Sequence, residues 1–118
     1  MFFVSETINL TVNGYDGKIN IGQDVQNFTS DNIVDIDITG DDLVTFNGTG
    51  ALDPNATTAD KAGPALNLSS QGDLETVTVA GTFTTVTLNS NGNMTSATIG
   101  GTVTGAGGLT VSNNSDLT

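Results

Sequence analysis

Leu74-Glu75-Thr76-Val77-Thr78-Val79-Ala80-Gly81 is followed, twenty residues further on, by Met94-Thr95-Ser96-Ala97-Thr98-Ile99-Gly100-Gly101, and Leu117-Thr118 opens a third copy. The segments leading into these copies repeat as well. Leu66-Asn67-Leu68-Ser69-Ser70-Gln71-Gly72-Asp73 precedes Leu74, Val86-Thr87-Leu88-Asn89-Ser90-Asn91-Gly92-Asn93 precedes Met94, and Leu109-Thr110-Val111-Ser112-Asn113-Asn114-Ser115-Asp116 precedes Leu117. Each has two apolar residues around a polar one, then five polar or glycine residues. A period of about 20 residues is the sequence sign of a solenoid or array, whose units bury their apolar faces against one another.

Within each unit the apolar residues alternate. Val77, Val79, Val86, Leu88, Ala97, Ile99, Leu109 and Val111 point inward on this reading, and Thr76, Thr78, Thr85, Thr87, Ser96 and Thr98 point outward. Period-two alternation rich in β-branched residues is the pattern of a half-buried strand. The Asn, Gly, Ser and Asp clusters between the runs supply turn chemistry, because Gly and Asn tolerate positive φ. Each repeat thus predicts two short strands and two turns. The expected fold is an all-β solenoid, β-helix-like, with a β-sandwich as the alternative because period-two strands fit it too.

Working outward, Ile8, Leu10 and Val12 alternate, Asn13 to Lys18 is turn-like, and Ile19 and Ile21 alternate again. This reads as an N-terminal hairpin of two antiparallel strands or as an irregular first rung, and residues 1–30 as a cap on repeats spanning 31–118. Gly22 to Asn32 reads as loop, with Val25 and Phe28 as buried anchors. Ile33-Val34-Asp35-Ile36-Asp37-Ile38-Thr39-Gly40 places apolar residues as Leu74 to Gly81 does. Leu43 and Phe46 can supply a rung between the two, and Asn47 to Gly63 reads as a projecting loop. Three glycines around Val103 to Gly108 mark a three-residue expansion, a bulge or wider turn. No C-terminal cap is visible, so the chain reads as an excerpt of a longer protein or as having an open end that a partner covers.

Composition narrows the function classes. The 118 residues hold thirteen acidic side chains, eleven of them Asp, against Lys18 and Lys61, with no Arg, His, Cys or Trp and a net charge of −11. Such a chain repels phosphate, which argues against nucleic-acid binding and against docking on an anionic membrane. No apolar run is long enough to span a bilayer, and Met1-Phe2-Phe3-Val4 lacks the basic start of a signal peptide. Five Phe and one Tyr are few for a globular core but sufficient for a thin solenoid.

Four sets of residues are candidates for chemistry. Asp31, Asp35, Asp37, Asp41 and Asp42 group hard oxygen ligands of the kind calcium takes, although their spacing matches no EF-hand loop; a solvated acidic face is the plainer reading. Asp53, Asn55, Thr57 and Asp60 form a weaker group. The outward Thr-x-Thr pairs resemble the arrays of ice-binding solenoids, but they come from two alternating faces, and Thr is the ordinary residue at an exposed strand position. Seven Asn-x-Ser/Thr triplets, at Asn9, Asn27, Asn47, Asn55, Asn67, Asn93 and Asn113, are glycosylation candidates, against the plainer role of turn-forming Asn. Asp35, Asp37, Asp41 and Asp42 could be set as the acid and base of a glycosidase, but no His, Arg or Trp is available to support them, so the chain reads as not an enzyme.

The Thr/Asn/Gly/Val-rich, Asp-rich, Cys-free chain, with Leu74-Glu75-Thr76-Val77-Thr78-Val79 behind Gly72-Asp73, resembles over Asp31 to Thr118 the repeat regions of prokaryotic surface-layer proteins and large secreted adhesins. The resemblance implies an extracellular β-solenoid that self-assembles, often with calcium, and carries over no site residues. The expected function is structural: a self-assembling segment of a surface layer, fibre or adhesin stalk at the cell surface, with copies of itself as partner. The alternative is a ligand-binding module, for glycan or ice, displayed on such a stalk.

Overall fold

The computed structural model describes residues 7–52, 63–89, 91–105 and 107–115. The chain is all-β, and its strands stack in parallel as a solenoid of about five turns. The first turn is β1 (Asn9–Val12) and β2 (Lys18–Ile21), and the second is β3 (Asn27–Ile33) and β4 (Asp35–Ile38). The third is β5 (Thr45–Gly50) and β6 (Ala65–Ser69), and the fourth is β7 (Thr76–Phe83) and β8 (Thr85–Asn89). The fifth is β9 (Ser96–Ile99), β10 (Thr102–Val103) and β11 (Leu109–Ser112).

One long sheet runs β1-β3-β5-β7, with β9 and β10 pairing the two ends of β7. On the other side β2 pairs β4, and β6, β8 and β11 form a second run. The twenty-residue period read from the sequence is the register of the third to fifth turns: Leu66 in the third lies opposite Val86 in the fourth, and Val77 in the fourth opposite Ala97 in the fifth. The three-residue expansion falls between Val103, which still faces Phe83 twenty residues back, and Leu109, which faces Val86 twenty-three back.

The core is a set of columns. Leu10, Phe28, Phe46, Val77 and Ala97 stack through the long sheet. Leu66, Val86 and Leu109, and beside them Leu68, Leu88 and Val111, stack through the other. The Phe28 and Phe46 rings lie 5.3 Å apart and nearly parallel. Each fully buried side chain of this kind contributes about 1.5–3 kcal/mol over leaving it exposed. Val77, Val79, Val86 and Leu88 are buried as the alternation predicts, and Ala97 and Ile99 are half-buried. Leu109 and Val111 hold inward register positions yet are 51% and 43% exposed, because no further described turn stacks on β11.

Four expectations meet a different arrangement. Of the two readings for the N-terminal segment, the structure shows a first rung: β1 and β2 each pair in parallel with the next turn and not with each other. Ile33 to Gly40 does not stack as Leu74 to Gly81 does. Ile36 and Ile38 face Ile19 and Ile21 on the second side, and the column of Val77 is continued by Phe46 and Phe28. Gly22 to Asn32 is not all loop, since β3 begins at Asn27; Phe28 is buried and Val25 packs against the core, as expected of anchors. Leu43 and Phe46 do supply the intervening rung, but Asn47 to Gly50 belongs to its strand and not to a projecting loop. The rest of that loop, 53–62, lies outside the described residues.

Candidate functional site

The turns are held by side chains that reach between rungs. At the corner after β6, β8 and β11, Gln71, Asn91 and Asn114 occupy the same place, three residues past Leu68, Leu88 and Val111. Asn91 Oδ1 accepts from the Gln71 backbone N–H at 3.1 Å, and its Nδ2 donates to the Leu68 carbonyl at 2.7 Å. Asn114 repeats both bonds one turn on, with the Asn91 N–H at 3.0 Å and the Leu88 carbonyl at 2.9 Å. Gln71 Oε1 accepts from Leu43 N–H, and its Nε2 donates to Gly40 O. Turn backbone buried against a core needs such partners, because an unpaired N–H or C=O is costly there. Asn91 is 1% exposed, so this ladder is interior structure.

Elsewhere the same device uses carboxylates. Asp31 Oδ1 accepts from the Gly14 N–H at 2.7 Å, and Asp42 Oδ2 from the Asp24 N–H at 2.8 Å. Asp35 and Asp37 project outward from β4, where Asp35 lies 3.7 Å from the Lys18 ammonium in an exposed ion pair. Such a pair contributes at most about 1 kcal/mol. Asp41 and Asp42 line an open groove of about 340 Å³ together with Gln26, Val44, Gly72 and Asp73. The five aspartates proposed from sequence are therefore distributed over strand and turn, two of them capping backbone N–H groups of the preceding turn. Among the described residues no three acidic side chains converge as a metal-holding group. Asp53, Asn55, Thr57 and Asp60 lie outside the described residues.

The outer surface of the long sheet is the most regular feature of the molecule. One outward column is Asn9, Asn27, Thr45, Thr76 and Ser96; the second is Thr11, Thr29, Asn47, Thr78 and Thr98. All ten are Asn, Ser or Thr, and none is charged. Asn27 Nδ2 donates to Asn9 Oδ1 at 2.7 Å, along the column. The Thr85 and Thr87 pair stands on the second side, as the alternation of faces implies. That side carries Lys18, Asp35 and Asp37 in its first two turns. Sequence reasoning missed Asn9, Asn27 and Asn47 as members of the array, because Gly22 to Asn32 and Asn47 to Gly63 read as loop and left β1 unaligned with β7.

The glycosylation candidates divide by local structure. Asn9, Asn47 and Asn67 are exposed on strands, and Asn67 accepts from the Ser69 hydroxyl. Asn93 and Asn113 are exposed turn residues at φ 55°, with amides bonded to Asp73 and Asn89 respectively. Asn27 is half-buried, and Asn55 lies outside the described residues.

Among the described residues no helix is long and apolar enough to cross a membrane. In comparisons with protein-family models, curated proteins and solved structures, nothing matches the chain.

Proposed function

We propose that the chain is a structural protein, a self-assembling β-solenoid segment of a surface layer, fibre or adhesin stalk outside the cell. The observation that supports this reading is the build of the molecule: parallel turns stacked in register, corners closed by side-chain hydrogen bonds from one turn to the next, and a long-sheet face whose two outward columns are Asn, Ser and Thr throughout.

A net charge of −11 opposes association of copies. Divalent cations, calcium first among them, relieve that repulsion by screening and by bridging carboxylates of neighbouring copies. Asp41 and Asp73, exposed at one groove, and Asp37, exposed on β4, are the carboxylates this reading would use. Light scattering during a calcium titration tests the reading: scattering should rise with calcium and fall on chelation, while sodium at equal ionic strength has a smaller effect. Constant monomer scattering throughout would count against it. The ligand-module reading, for ice or glycan, has in its favour the uncharged Asn/Thr face, and predicts a monomer with a saturable ligand.

A further inference from the structure

We infer that the Asn/Thr face of the long sheet is a lateral docking surface for the same face of a second copy. The inference rests on the self-assembly proposed above and names the surface through which it runs. Charge is the first reason. Copies that each carry −11 meet at lowest electrostatic cost through a surface without carboxylates. The ten residues of the two outward columns form such a surface, with Asp31 at the next outward position of β3 on its border. The described acidic residues lie on β4, in the turns, or at Asp31, past the paired run Asn27 to Ser30 of β3.

Side-chain chemistry is the second reason. An amide donates and accepts, and a hydroxyl does both, so a face built only of Asn, Ser and Thr is complementary to itself. The Asn27 to Asn9 bond shows the amides already laddering along the column. Two such faces interdigitate as a polar zipper of the kind that Asn ladders form between stacked sheets. Asn9, Asn27 and Asn47 are longer than the Thr rows beside them. The face presents no aromatic ring on which a sugar could stack.

Size sets the strength. Five strands about 4.8 Å apart and two columns about 7 Å apart give a patch on the order of 300 Å². A stable pair usually buries about 800 Å² per partner. A single contact of this kind is therefore weak, and it becomes effective when repeated in an array. Glu75 and Asp31 flank the columns, so cations that neutralise this rim strengthen the contact.

The test compares matched variants by light scattering and sedimentation velocity in calcium. Thr29→Glu/Thr78→Glu places two charges on the face, and Thr87→Glu/Thr110→Glu places the same two on the other side. Asn47→Asp and Asn67→Asp form a second, nearly isosteric pair, and circular dichroism checks that both fold. Wild type and the other-side variants should assemble alike. The Thr29→Glu/Thr78→Glu protein should need at least tenfold higher concentration, with Asn47→Asp shifted in the same direction. If the face variants assemble like wild type, the docking surface is elsewhere, and the self-assembly reading stands. If wild type does not assemble at all, both fall. Thermal hysteresis in wild type that the face variants lose would assign the face to ice and overturn the inference.

Discussion

Replacing Asn91 by alanine removes the acceptor of the Gln71 N–H and the donor to the Leu68 carbonyl, both in a corner closed to water. Each orphaned group costs about 1–3 kcal/mol, so Asn91→Ala should lose roughly 2–4 kcal/mol in urea denaturation. Asn20→Ala, at an exposed position on β2, should stay within about 0.5 kcal/mol of wild type. Ser30 is the converse case. Its hydroxyl is the one buried side-chain polar atom without a partner among the described residues. Ser30→Ala should therefore be neutral or stabilising by up to about 1 kcal/mol, read from the same curves. The ladder was partly legible in the sequence. Gln71, Asn91 and Asn114 hold the same place in the three aligned segments, but the clusters around them read only as turn chemistry, with Asn and Gly tolerant of positive φ. The residues that adopt positive φ are their neighbours Ser70, Asn93 and Asn113. What periodicity could not give is that the turn folds inward, burying the amide.

At the scale of the strand, glycine did two jobs that look alike in a sequence. Gly81 has φ 73°, and a β-carbon there would lie 2.1 Å from the Gly50 carbonyl oxygen. It ends the first run of β7, and Gly101 repeats the conformation one turn on, at φ 85°. Gly81→Ala meets both strain and collision and should cost at least about 2 kcal/mol. Gly107→Ala, with φ 72° and open space around it, should cost only about 1 kcal/mol; thermal unfolding of the pair checks the contrast. Gly48 and Gly50 are different. They sit within β5, where a side chain would strike the Phe46 ring and the Phe83 ring. Read from sequence they signalled loop, so the rung of Leu43 and Phe46 was not followed past Phe46. The strands of the fourth turn and β9 were legible because Thr or Ser alternates with an apolar residue over Thr76 to Val79, Thr85 to Leu88 and Ser96 to Ile99. Ile33 to Gly40 was placed on the wrong side because a run of alternating isoleucines fits either sheet, and only neighbours in space choose between them.

Across the whole molecule, stability should follow position along the axis, because each turn touches only the turns beside it. Phe46 is buried between Phe28 and Val77, so Phe46→Ala should cost about 3–5 kcal/mol. Val111→Ala, in the outermost described strand, should cost less than about 1 kcal/mol. Hydrogen exchange should be slowest in β5 and β7 and faster in β1 and β11. The solenoid itself was readable from the twenty-residue period, and so was the overall excess of acid. The distribution of that acid was not, since it depends on which turn each aspartate caps and which face each strand presents. The Asn/Thr surface emerged only once β1, β3 and β5 were aligned beneath β7. Negative-stain electron microscopy of the purified chain in calcium, and again after chelation, addresses the central claim most directly. Ordered sheets or fibres that dissolve on chelation are the expected result. Single particles of one size in both conditions would contradict it.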